Sequence, residues 1–187
     1  MPEVCVRGLV LAGGRGLRMG GVDKGLQLLN GRPLVAHVID RLAPQVQTLA
    51  ISANRHLDAY AALGHPVLSD PPGIEFAGPL AGVLAGLQAL PDDSWLLTVP
   101  CDSPHLPLDL AARLWAAAHT TGLAFAQAER THPTHALLHT RLRGPLATHL
   151  LAGGRQVQGW MVAQPHGVAQ FEDEAAFANF NTLADLR

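Results

Sequence analysis

The stretch Gly8-Leu9-Val10-Leu11-Ala12-Gly13-Gly14-Arg15-Gly16-Leu17-Arg18-Met19-Gly20-Gly21-Val22-Asp23-Lys24-Gly25 governs the reading of the whole chain. Gly8 to Leu11 is a short apolar run stopped by Ala12-Gly13-Gly14, which reads as a buried strand. The connection after it, from Leu11 to Gly25, holds six glycines and sets Arg15, Arg18 and Lys24 against Asp23 alone, a local charge of +2. Glycine lets backbone N–H groups approach an anion with no side chain in the way, and consecutive N–H groups form an anion-binding concavity. A polyphosphate is the natural complement. Two familiar phosphate motifs do not fit. A P-loop needs Gly-Lys-Ser/Thr, whereas Lys24 precedes Gly25; the dinucleotide fingerprint needs glycine where Met19 stands.

Outward from this loop, short apolar runs alternate with helical patterns, the signature of an α/β domain with a mostly parallel sheet. Leu26–Leu29 is closed by the turn dipeptide Asn30-Gly31. A helix is expected over 33–43, with Pro33 at its first position and Leu34, Val35, Val38, Ile39 and Leu42 on one face. Thr48–Ser52 and Val67–Ser69 read as strands around a helical stretch near Leu57–Leu63. Leu80, Val83, Leu84, Leu87 and Leu90 mark an amphipathic helix, its leucine stripe belonging to the core. Trp95–Val99 reads as a buried strand and 108–120 as a helix. Beyond residue 122 the pattern loosens into antiparallel strands near Leu123–Ala128 and Ala136–His139, then a helix over 142–152. The last thirty or so residues carry little pattern.

Composition narrows the function. The chain has 187 residues, 48% hydrophobic and 15% charged, with a net charge of −2. That length suits one domain over residues 1–187. So few charges exclude a disordered chain, and the near-neutral balance argues against a nucleic-acid binder. Cys5 and Cys101 are too few for a disulfide framework or a four-ligand zinc site. The first residues lack the basic start and cleavage site of a signal peptide, and no apolar stretch is long enough to cross a bilayer. A cytoplasmic protein without membrane attachment is expected.

Asp70 and Asp102 each follow an expected strand, where open α/β sheets place their ligands. Asp102, in Pro100-Cys101-Asp102-Ser103-Pro104, suits magnesium, which is typically held by one or two carboxylates and substrate phosphates. Asp70 reads equally well as a turn-forming residue. Gly78 either starts the helix after it or lets a ligand approach that helix. His132, His135 and His139 do not read as a metal site: a strand would put His135 and His139 on one face and His132 on the other. Cys101 reads as small filler, and Trp95, Trp115 and Trp160 as too dispersed to form a stacking platform.

Several segments resemble the molybdenum cofactor guanylyltransferases: Leu11–Gly14, Arg18–Gly21, Asp23-Lys24, Asn54–His56, Gly78–Gly82, Pro100–Asp102, Arg130–Thr134 and Asn179–Thr182. They occur in order and span nearly the whole chain. The resemblance implies a Rossmann-like nucleotidyltransferase fold, three-layer α/β/α with a mostly parallel sheet and a small antiparallel part. It also implies a reaction in which GTP and molybdopterin yield the guanine dinucleotide cofactor and pyrophosphate, with Mg2+. By the same resemblance Leu11, Ala12, Gly13, Gly14, Asn54, Asp70 and Gly78 contact the nucleotide, and Lys24 its phosphates. Asp102 meets both nucleotide and magnesium, and Asn179 and Asn181 lie towards molybdopterin. Ser52 replaces an asparagine usual in that family, which shortens or removes one nucleotide contact; Leu183 replaces a proline.

The reaction needs no enzyme nucleophile and no general base, because a terminal phosphate attacks already ionised. Lys24, Arg18 and Asp102 are the expected catalytic groups. Other molybdenum-cofactor proteins or molybdoenzyme apoproteins are the expected protein partners. A related nucleotidyltransferase using CTP or a sugar phosphate shares the glycine loop and acidic residue. A non-catalytic cofactor carrier would not need Lys24 and Asp102.

Overall fold

The apolar run Val6–Leu11 forms the strand β1, at the centre of a seven-stranded sheet. The computed structural model describes residues 5–14, 22–75 and 77–180. On one side β1 pairs in parallel with β4 (Thr48–Ser52), and β4 with β5 (Val67–Leu68). On its other side β1 pairs in parallel with β6 (Trp95–Pro100). Beyond β6 come β8 (Thr131–His139), β7 (Leu123–Gln127) and β9 (Gly167–Gln170), in that order. Only β8 runs against the rest, antiparallel to both β6 and β7. The chain thus leaves β1 towards β4 and β5, then returns to lay β6 on the opposite flank. That reversal opens a crevice at the carboxyl ends of β1 and β6.

Alternation along the strands builds two cores, because successive side chains point to opposite faces. Val10, Leu97 and Val99 pack with α1 (Leu34–Leu42) and α4 (Leu110–Ala118). Leu9, Leu11 and Leu96 pack with α3 (Pro79–Gln88), α5 (Arg143–Leu151) and α6 (Val157–Val162). A short helix, α2 (Leu57–Ala61), sends Tyr60 into the first core. The layers are therefore α/β/α, as expected. Leu28–Leu29 (β2) and Arg32–Pro33 (β3) form a separate hairpin, and Pro33 stands just before α1 rather than at its first helical position. Among the described residues no helix is long and apolar enough to cross a membrane.

Three expectations need correction. The helix α3 is not amphipathic: every residue from Leu80 to Leu87 is buried, so small Ala and Gly positions pack as fully as the leucines. The three tryptophans are not all dispersed: Trp95 and Trp115 meet edge to face at 5.0 Å between ring centroids, while Trp160 lies apart in the other core. The histidines do not alternate as a regular strand would dictate. The β7–β8 register pairs Phe125 with Ala136 but Ala126 with His132, so residues 133–135 bulge out of the ladder. Pro133 has no N–H to donate, and prolines in sheets favour such irregularities. His132 and His135 are consequently neighbours, 6.0 Å apart, and both rings lie against Phe177.

Candidate active site

The crevice is a cleft of about 460 Å³, and elements distant in sequence build its walls. The end of β1 supplies Leu11, Ala12, Gly13 and Gly14; the end of β4 supplies Ser52, and the loop after β5 supplies Asp70. Opposite them stand Cys101 and Asp102 after β6, Gly78 at the start of α3, and Lys24. Because β8 runs the other way, its early part brings Thr134 to the same rim, and the C-terminal segment adds Asn179. Arg18 and Asn181 lie outside the described residues.

The backbone at the end of β1 is held at both sides. The Ala12 amide donates to the Ser52 carbonyl at 2.8 Å, and the Cys101 amide to the Leu11 carbonyl at 3.1 Å. Ala12 therefore faces the cleft with its own N–H already engaged. A Cβ on Gly13 would come within 3.0 Å of Asn54 Nδ2, whereas one on Gly14 would meet no atom of the described residues within 4 Å. Among the described residues no packing demands glycine at position 14. The bare backbone there leaves room for something other than protein.

Asn54 does not line the cleft but braces a residue that does. Its Nδ2 donates to Asp70 Oδ2 and its Oδ1 accepts from the Asp70 amide, both at 2.8 Å. This reciprocal pair fixes the carboxylate of Asp70 on the cleft wall. Ser52 is 1% exposed, and its Oγ occupies the space that a side chain on Gly82 would need. That close approach is why α3 can sit against the end of β4. Gly78 takes φ +84°, ψ −169°, a backbone that L side chains rarely adopt, and it caps α3 while facing the cleft. Gly78 thus starts the helix and also lines the cleft.

Lys24 and Asp102 meet across the floor, Nζ to Oδ2 at 3.4 Å. Burial pushes the Asp102 carboxyl above the usual carboxylate range, against the downward pull of Lys24. Burial likewise pushes the Cys101 thiol well up, reinforced by Asp102 and Asp23, so that thiol is no nucleophile. Sequence reasoning did not single out Asp23 or Thr134 as site residues. Asp23 is 9% exposed and accepts a 2.5 Å hydrogen bond from the Tyr60 hydroxyl. The carbonyl of Thr134 accepts from Thr98 Oγ1 at 2.9 Å. The signal for Thr134 was the segment Arg130–Thr134, and β8, expected only from Ala136 onwards, starts at Thr131 and carries this residue to the rim. Among the described residues no three His, Cys, Asp or Glu side chains group to hold a metal ion.

A mostly parallel sheet with a glycine-lined cleft over its switch point defines a nucleotide-handling α/β domain. Residues 8–167 match the MobA-like NTP transferase domain. The molybdenum cofactor guanylyltransferase of Ralstonia nicotianae is 46% identical, over 100% of this chain and 97% of the relative. That of Burkholderia orbicola is 48% identical over 97% of this chain and 93% of the relative. The chain belongs to the molybdenum cofactor guanylyltransferase family, and is a nucleotidyltransferase. Molybdopterin-guanine dinucleotide biosynthesis protein A from Archaeoglobus fulgidus superposes with a TM-score of 0.76 at 20% identity, covering 96% of this chain and 94% of that one. A 4-diphosphocytidyl-2C-methyl-D-erythritolsynthase from Anaerococcus prevotii gives 0.75 at 12% identity, covering 98% and 93%. These two likenesses speak for the fold alone.

Proposed function

We propose that the chain acts as one nucleotidyltransferase domain over residues 1–187, in the cytoplasm. It transfers GMP from GTP to molybdopterin and releases pyrophosphate. The observation that carries this reading is the juxtaposition of Lys24 and Asp102, 3.4 Å apart, beside the exposed backbone of Gly14. A triphosphate laid on Gly13 and Gly14 would bring its reacting phosphate between that pair and the rest of the cleft.

The attacking phosphate of molybdopterin is ionised at neutral pH, so the site needs alignment and charge neutralisation rather than a general base. Lys24 keeps 30% of its side-chain surface exposed, which lets the ammonium turn from Asp102 to the leaving pyrophosphate. Gly13, Gly14, Ser52 and the braced Asp70 line the nucleotide side, and Asn179 lies towards the molybdopterin side. The donor set suits magnesium: a buried carboxylate with a raised proton affinity is countered by one lysine, and this ion takes its remaining ligands from phosphates and water. Asp102 would hold it, and when bound it neutralises charge on the phosphate oxygens. The test is pyrophosphate release with molybdopterin and GTP, CTP or ATP in parallel. Turnover with GTP and magnesium is expected; turnover with CTP alone overturns the choice of base. Binding of GTP and molybdopterin with no pyrophosphate released would make the chain a carrier.

A further inference from the structure

Tyr60 is the only tyrosine of the chain and is fully buried, yet its hydroxyl points at the wall of the cleft. It donates to Asp23 Oδ1 at 2.5 Å, and Asp23 immediately precedes the 3-10 turn Lys24–Leu26. The Asp23 carbonyl accepts from Gln27 Nε2 at 3.1 Å, closing that turn on its other side. Gly25 is wedged as well: a Cβ there would lie 2.6 Å from the Tyr60 hydroxyl and 3.2 Å from Cys101 Sγ. Residues 23, 24 and 25 are thus clamped between α2 and the end of β6, with Lys24 in the middle.

From this geometry we infer that Tyr60 and Asp23 are positioning residues for Lys24, setting where its ammonium stands relative to Asp102 and the leaving phosphates. The inference rests on the nucleotidyltransferase reading above. A long, flexible lysine on a glycine-flanked turn has many rotamers and no intrinsic aim. Fixing its backbone on both sides sets the point and direction from which the side chain extends before substrate arrives. Tyr60 reaches this turn from the segment between β4 and β5, which also carries Asn54 and is flanked by Ser52 at the end of β4 and Asp70 after β5. One short helix therefore ties the nucleotide side of the cleft to the phosphate side.

The test combines Tyr60→Phe, Asp23→Asn and Lys24→Ala in double-mutant cycles, read by pyrophosphate release. Tyr60→Phe should lower kcat by about 10- to 100-fold and leave KM for GTP within about twofold. Combined with Lys24→Ala it should cause no further loss, because its effect passes through that lysine. A merely structural defect would multiply onto Lys24→Ala instead, and that outcome overturns the inference, as does Tyr60→Phe turning over like the wild type. Should Tyr60→Phe fail to fold, Asp23→Asn replaces it in the same cycle. A second readout needs no turnover: tyrosine labelled with 13C on the ring gives signals from this one residue. They should shift when magnesium and GTP are added to the wild type, and not in Asp23→Asn. A wild type that binds GTP without moving the tyrosine signals overturns the positioning role. A wild type that neither binds nor turns over GTP overturns the nucleotidyltransferase reading itself, and this inference with it.

Discussion

Asp102 pays for its place in the cleft with stability. Burial raises its proton affinity, and Lys24 only partly offsets this. The unfolded chain loses that proton at the ordinary carboxylate pKa, so the folded apoprotein loses stability as pH rises from there through the raised value. Asp102→Asn should therefore abolish magnesium-dependent pyrophosphate release while raising the apoprotein's Tm at neutral pH, and it should flatten that part of the pH–stability curve. An Asn variant that keeps turnover removes Asp102 from the chemistry. Lys24→Ala should add about 3–4 kcal/mol to the barrier, the usual effect of deleting one donor to developing charge. Steady-state kinetics on a variant with wild-type circular dichroism checks this. Asp102 and Lys24 were legible in the sequence because each stands in a local motif. Asp23 stands in the same motif as Lys24, but its hydrogen bond to Tyr60, 37 residues away, was not legible.

The helix α3 and the bulged β8 show how whole elements aim the site. Gly82 gives up a side chain so that α3 can lie on Ser52, and a methyl group there collides with Ser52 Oγ. Gly82→Ala should push the start of α3 off β4 and weaken GTP binding, measured by calorimetry, more than it lowers kcat. In β8 the bulge turns His135 inward, with no hydrogen-bond partner for either ring nitrogen among the described residues. Burial, helped by neighbouring His132, lowers its pKa to about 3. The unfolded chain takes up that proton near pH 6.5 and the folded chain only near 3. His135 therefore costs nothing above the first value, and stability falls as pH drops towards the second. His135→Leu should flatten the loss of urea midpoint over this window. Period-two reasoning put His132 and His135 on opposite faces; Pro133 and the bulge reversed that, a change that strand periodicity does not encode.

Across the fold, the C-terminal segment acts as a strap over β8 and the loop after β6. Phe177 is 2% exposed and stacks on His132, Glu174 pairs with Arg130 and His132, and Asn179 Oδ1 accepts from Ser103 Oγ at 2.7 Å. The Phe180 amide donates to the Asp102 carbonyl at 2.9 Å, so the strap reaches the floor of the cleft. Phe177→Ala should cost about 3–5 kcal/mol in urea unfolding, as buried aromatic truncations do. It should also loosen Asn179, raising KM for molybdopterin more than KM for GTP.

The alternation of strands and helices, the glycine loop and the acid after β6 could be read from the linear chain. Each is written in neighbouring residues, through apolar runs, turn-forming glycines and prolines, and charge set beside glycine. The insertion of β8 between β6 and β7, the arrival of Thr134 and Asn179 at the cleft, and the grip of Tyr60 on Asp23 came from folding. These are pairings between residues far apart in the chain, chosen by how buried surfaces fit, and no local pattern of side chains specifies which distant partner will be met.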